Sequence, residues 1–181
     1  MVIRLTLAVL IGTAVQAFAA EPLAGEYQVK GAFLLNFAKF VEWPEQAFKG
    51  PDDPIAICVL GQNPFGSALN RAAREIVVAN RTVSVRQVSN EREASLCHIV
   101  FVSASERKRS RILLEAVQGA SVLTVGESEG FIASGGVIDF KVDGEKIRME
   151  ISTAAAEHAR LRISAKLLSL AQAGNAQSGK R

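Results

Sequence analysis

Histidine and cysteine each occur only twice in 181 residues, tryptophan and tyrosine once each, and proline five times. So few cysteines and histidines exclude zinc-finger ligand sets and disulfide-dense scaffolds. No G-x-S-x-G, H-E-x-x-H or Walker lysine occurs, and neither histidine has a carboxylate or cysteine at metal-ligand spacing. A hydrolase would lack its nucleophile–base pair, so we expect no catalytic residues, no metal and no cofactor. A strong excess of one charge is also missing. The 21 Lys+Arg face 18 Asp+Glu for a net +3, less than a nucleic-acid binder gathers on one face. Apolar residues are plentiful: 49% of the chain is hydrophobic and 22% charged. That excludes a disordered chain, and the length suits one domain.

Residues 1–19 place one base, Arg4, before the apolar run Leu5–Val15 and the small-x-small site Ala17-Phe18-Ala19. A spanning helix is the competing reading, but it needs about 20 apolar residues, and Gly12, Thr13 and Gln16 interrupt this one. We therefore read 1–19 as a cleavable secretory signal, 20–173 as a single domain and 174–181 as a disordered tail. Secretion leads to an oxidising space, so Cys58 and Cys97 read first as a candidate disulfide, with two buried thiols as the other reading.

Hydrophobic period organises the rest. Phe33, Phe37 and Phe40 fall at i, i+4 and i+7, which predicts a helix over Tyr27–Val41 with Lys30, Asn36 and Lys39 pointing elsewhere. Trp43-Pro44 closes it. Ile55–Leu60, Cys97–Val102 and Ser121–Val125 are continuous apolar runs, the pattern of strands buried on both faces. Arg81–Val88 alternates, as a strand with one wetter face does. Asn63-Pro64 predicts a helix to about Arg74, and the capping box Ser103-x-x-Glu106 one to about Gly119. Val137–Val142 and Lys146–Ile151 flank Asp143-Gly144, a strong hairpin signal. A helix is expected over Ala154–Ala171. Strands alternating with helices predict α/β architecture: a single three-layer domain whose mostly parallel sheet is flanked by helices, with a C-terminal β-hairpin followed by a helix.

Few residues carry obvious chemistry. Gly61-x-x-x-x-Gly66 has the glycines of a phosphate loop, but Ser67-Ala68 stands where Lys-Ser/Thr would hold phosphate and magnesium. His98 opens a buried strand and reads as a satisfied structural residue. Arg107, Lys108, Arg109 and Arg111 form a solvated basic face or a dock for an acidic partner. Phe33, Phe37, Phe40 and Phe48 gather near the only Trp and Tyr, a cluster that fits core and interface equally.

Three stretches carry a resemblance. They are Tyr27–Pro44 (YQVKGAFLLNFAKFVEWP), Ile57–Gly61 with Asn63–Gly66, and the set Gly130-Phe131, Gly135–Phe140, Arg148–Ile151 and Leu161–Ala171. Together they resemble the YfiR-like family of secreted bacterial regulators, over nearly the whole chain after the leader. The resemblance implies a periplasmic homodimer that represses a membrane-bound diguanylate cyclase, or a sensor kinase, through its periplasmic sensor domain. Cyclic di-GMP and biofilm control would follow, with an outer-membrane lipoprotein able to sequester the repressor. Cys58 and Cys97 match the family's recurring pair, while the best-known member's second pair is absent. A periplasmic protein meets no chromosome, so no nucleic-acid partner is expected. On this reading the partner-binding surface includes Phe131, Asp139, Arg148, Glu150 and Lys166. The alternative is a periplasmic sensor or carrier for an aromatic or anionic small molecule, held by Phe40, Trp43 and Phe131.

Overall fold

A computed structural model describes residues 21–144 and 146–176. The leader expected over 1–19 lies outside them, as do residues 177–181 of the expected tail. Helix α1 (Glu21–Phe40) runs into a two-residue strand, β1 (Val41–Glu42). Next come β2 (Ile55–Leu60), α2 (Ala68–Arg74), β3 (Val77–Val78) and β4 (Arg81–Val88). The short α3 (Glu91–Ala94), β5 (Ile99–Val102), α4 (Ser110–Ala116) and β6 (Leu123–Gly126) follow. The hairpin β7 (Ile138–Asp143) and β8 (Lys146–Ile151) leads to α5 (Thr153–His158), β9 (Arg162–Ile163) and α6 (Ala165–Ala176).

One sheet takes seven strands in the order β3-β4-β2-β5-β6-β7-β8. Its five inner strands are parallel, and the two edge strands run antiparallel to their neighbours. This is the three-layer α/β arrangement expected from the apolar runs. Ile55, Ile57 and Val59 of β2 and Ile99 and Phe101 of β5 pack with Leu34, Phe37, Leu69 and Leu167 of α1, α2 and α6. On the other face Cys58, Leu60, Val100 and Val102 meet Ala94, Leu113 and Leu114 of α3 and α4. Burial on both faces is why these strands read as unbroken hydrophobic runs.

Cys58 and Cys97 form a disulfide with Cα atoms 6.1 Å apart. It ties β2 to the turn entering β5, and the exposed Arg86 guanidinium lies 3.3 Å from Cys58 Sγ and 3.5 Å from Cys97 Sγ.

All four expected helices differ: α1 begins at Glu21, six residues before Tyr27, and Val41 belongs to β1. Asn63 Oδ1 accepts from Phe65 N at 2.9 Å, which spends the cap on a local turn, and α2 begins only at Ala68. The Ser103 N–H is bonded to Leu60 O at 3.1 Å, so the return bond of the capping box has no donor. A 3-10 turn, Ala104–Glu106, therefore precedes α4. The expected helix over Ala154–Ala171 is broken. Arg160 adopts φ +57°, Leu161 N bonds Ala156 O at 2.9 Å, and Arg162-Ile163 pairs with Val41-Glu42. Ser164 then caps α6 by accepting from Leu167 N at 3.3 Å, and the helix continues through Ala176.

His98 closes the amino end of the sheet. Nδ1 accepts from Ala56 N at 3.0 Å, which requires a neutral ring, and Nε2 lies 3.1 Å from Ala47 O. The imidazole stacks on Phe48 at 4.4 Å and meets the edge of Trp43, whose indole N–H donates to His98 O. Burial lowers the imidazole pKa below its ordinary value, against the Ala47 contact and Asp53, with Arg81 and Arg86 adding to the lowering.

Two outcomes follow from these contacts. The double variant Cys58→Ser/Cys97→Ser frees a loop of sequence separation 39 and should lose on the order of 4 kcal/mol of stability, measured by urea unfolding. A lowered folded pKa means the unfolded state binds the proton more readily, so stability rises with pH through the histidine range. Unfolding followed by the single Trp43 between about pH 6.5 and 5 should lose up to about 1.4 kcal/mol per pH unit as pH falls. His98→Asn, whose Oδ1 can take the place of Nδ1, should flatten that slope.

Candidate functional site

Open parallel sheets bind ligands beyond the carboxyl ends of their strands, where the chain reverses its direction of travel across the sheet. Here that point lies between β2 and β5, because β4 flanks β2 on one side and β5 on the other. The crevice is plugged. Gly61, at φ +87°, faces the turn after β5 so closely that a Cβ would come within 2.5 Å of Ser105 Oγ, and Ser105 Oγ accepts from Gln62 N at 2.9 Å.

The chemistry sits one strand further along, above the end of β6. Glu127 follows β6 directly and is reached from three sides: by Lys30 Nζ at 2.7 Å, by Tyr27 OH at 3.3 Å and by Ala104 N at 3.0 Å. Glu26, one turn before Lys30 on α1, pairs with the same ammonium. The Lys30 side chain is only 2% exposed, and its ammonium lies 4.7 Å from the Tyr27 ring centroid. This overturns the expectation that Lys30 points away from the core: it shares a helix face with the fully buried Leu34 and Phe37. A carboxylate beside a partly buried phenol disfavours phenolate. Burial first, then Glu127 and Glu26, push the Tyr27 pKa up to about 12, so the hydroxyl stays a donor.

Two openings adjoin this centre. A cleft of about 480 Å³ is lined by Lys30, Glu127, Glu129, Phe140 and Lys141. A more apolar groove of about 370 Å³ runs between α1 and α2 past Gly31, Leu35, Phe65, Leu69 and Ala72, with Tyr27 shared between the two.

The sequence-predicted residues are placed differently. Phe131 is 1% exposed. Its ring fills the space beside Gly126 and Gly136, where a Cβ would approach to 2.4 and 2.2 Å, so both positions require glycine. Asp139 is fully buried; Oδ2 bonds Lys141 at 2.5 Å while Oδ1 has no hydrogen-bond partner among the described residues. Burial raises the Asp139 carboxyl above its usual range, against the pull of Lys141. Asp139 pairs in register with the exposed Glu150, and Arg148, which binds Asp143 at 2.5 Å, lies next to Glu150 on the same hairpin face. Lys166 is exposed on α6, with its ammonium 5.1 Å from the Phe40 ring. The hairpin thus brings Asp139, Arg148 and Glu150 together, and Lys166 stands apart on the opposite layer.

Phe40 and Trp43 pack against the core under α1, whereas Phe131 belongs to the other face of the sheet. Trp43 lines a separate hollow of about 330 Å³ with Phe48 and Arg81. Sequence reasoning missed Glu26, Tyr27, Lys30 and Glu127. The i, i+4 pair Glu26–Lys30 was visible, and Lys30 at i−4 from Leu34 and i−7 from Phe37 marked it as inward-facing.

The family described as YfiR/HmsC-like matches residues 27–172. No curated protein matches the chain. Among solved structures, a conserved domain protein from Vibrio cholerae O1 biovar eltor str. N16961 superposes with a TM-score of 0.51 at 10% identity, over 65% of this chain and 53% of that one. The chain spans about half the length of that protein, and at such identity the likeness concerns the fold alone.

Replacing Lys30 by Met leaves Glu26 and Glu127 facing each other without their cation. Removing one partner of a buried pair should cost about 3–5 kcal/mol in urea unfolding, whereas Lys39→Met on the exposed side of α1 should stay within about 0.5 kcal/mol.

Proposed function

Since the chain belongs to the YfiR/HmsC-like family, we propose that it is a periplasmic regulatory protein that represses a membrane-bound signalling protein, a diguanylate cyclase, by binding its periplasmic sensor domain. The observation that carries this reading is the extent of the family match, which reaches from within α1 into α6. The side chains support it. Both ring nitrogens of His98 are engaged and the two thiols are joined, so these groups serve the fold and not a reaction. No helix among the described residues is long and apolar enough to cross a membrane. Repression needs only that the domain bind one receptor state better than the other. Moving a receptor from nearly all active to nearly all inactive takes about 5.5 kcal/mol of differential affinity. The contact surface we assign is the hairpin face of Arg148 and Glu150, beside the buried Asp139 that pairs in register with Glu150; Lys166, on the opposite layer, falls outside it.

A small-molecule sensor or carrier is the second reading, and the groove between α1 and α2 favours it, being concave and apolar with Tyr27 at one end. The regulatory reading is tested by deleting the gene and measuring cellular cyclic di-GMP. The nucleotide should rise on deletion and fall again when the full chain is restored, but not when a form lacking residues 1–19 is supplied. An unchanged cyclic di-GMP level on deletion ends the assignment.

A further inference from the structure

The fastening of α1 to the end of β6 carries more negative charge than its own cation balances. One ammonium, Lys30, is set between two carboxylates, Glu26 and Glu127. Tyr27 does not redress this, because its hydroxyl stays neutral and only donates. Glu129 adds a third carboxylate to the wall of the same cleft; it is exposed and makes no ion pair among the described residues. The second ammonium in that wall, Lys141, is bonded to the buried Asp139 at 2.5 Å. Both cations of the cleft are therefore engaged. An entering anion would have to break one of these pairs, whereas an entering cation meets carboxylates in excess.

The apolar groove beside the cleft has a complementary character. Its floor is Leu35, Phe65 and Leu69, all buried, and its walls are Ala32, Ala68 and Ala72, all exposed. Alanine on both walls leaves about 370 Å³ open between α1 and α2. The Tyr27 ring joins the two spaces. It stands edge to face with Phe65 at 5.7 Å on the groove side, and its hydroxyl reaches Glu127 on the cleft side.

We propose that these two openings form one binding site for a primary amine carried on an apolar body. The body lies between α1 and α2, crosses the Tyr27 ring and places its ammonium among Glu26, Glu127 and Glu129. Each part has a physical reason. Apolar surface leaves water for the groove. A carboxylate offers about four acceptor positions, and Glu127 uses three of them, on Lys30, Tyr27 and the Ala104 N–H. An ammonium brings donors and no acceptor, and with it three positive groups face the three carboxylates of the cleft wall. The proposal rests on the small-molecule reading of the groove, to which it gives a chemical class, and it uses neither Arg148 nor Glu150.

The experiment is calorimetric titration of the purified full chain, at low salt and neutral pH, with octylamine, octanol and octanoate. The three probes share one apolar body and differ only in the head. Octylamine should bind one to one and about tenfold or more tighter than octanol, with octanoate the weakest. Ala32→Leu/Ala72→Leu fills the groove from exposed helix positions and leaves every charge in place. It should weaken octylamine and octanol alike, by about tenfold or more. Glu129→Lys should weaken octylamine about tenfold while octanol stays within about twofold. Circular dichroism confirms that both variants fold. Octanoate binding as tightly as octylamine overturns the amine assignment and leaves the groove as a carrier site for another ligand. Absence of binding by all three probes overturns the proposal and the small-molecule reading together. Octylamine binding indifferent to both variants puts the amine elsewhere on the surface and overturns the proposal alone.

Discussion

A parallel sheet with helices on both sides must bury two apolar faces at once, and that constraint governs nearly every other feature. Five adjacent parallel strands leave no face for water, so α1 packs Leu34, Leu35, Phe37 and Ala38 into the core on one side. Lys30 falls on the stripe where α1 passes over the end of β6, and an ammonium taken out of water needs compensating charge. Glu26 supplies it from the helix and Glu127 from the strand end, with Tyr27 and Ala104 completing the carboxylate's bonds. A charge buried by the demands of packing thereby becomes the fastening between two layers.

The amino end of the same strands is closed by neutral groups. His98 links Ala56 to Ala47 through its two ring nitrogens, and the segment from Trp43 to Phe48 folds over it through ring contacts. The two ends therefore answer solution conditions differently. Proton uptake on the ring at one end removes the acceptor for Ala56 N. The other end sets the one Lys30 ammonium between two carboxylates, Glu26 and Glu127. Between them the disulfide secures β2 to the entry of β5 independently of either.

Most of this architecture was legible in residue pattern. The continuous runs at Ile55–Leu60 and Cys97–Val102 have the pattern of strands covered on both faces, and Asp143-Gly144 marks the hairpin; the first strand and the hairpin stand where expected, and the second strand begins two residues later, at Ile99. The errors have a common cause in tertiary bonds that outbid local signals. Ser103 looked like a helix cap until Leu60 took its N–H, and Ala154–Ala171 had helical period throughout until β1 claimed Arg162-Ile163 as a partner. The site was less legible than the fold. Lys30 was assigned outward because lysines usually are, although its spacing to Leu34 and Phe37 argued otherwise. Phe131 and Asp139 read as contact residues from the resemblance, and both side chains are buried. Glu127 stands 97 residues from Lys30, and no local pattern links such distant positions.

Edge strands show why charge placement deserves a reading of its own. Charged residues on an outer strand ordinarily guard it against pairing, and Lys146, Arg148 and Glu150 could be taken that way. Guarding works best with one sign, since a strand bearing like charges repels its own copy in every register. Here Arg148 and Glu150 flank Met149 with opposite signs, so the strand carries no single sign. The opposite edge needs no such device, because β3 is too short to offer a ladder.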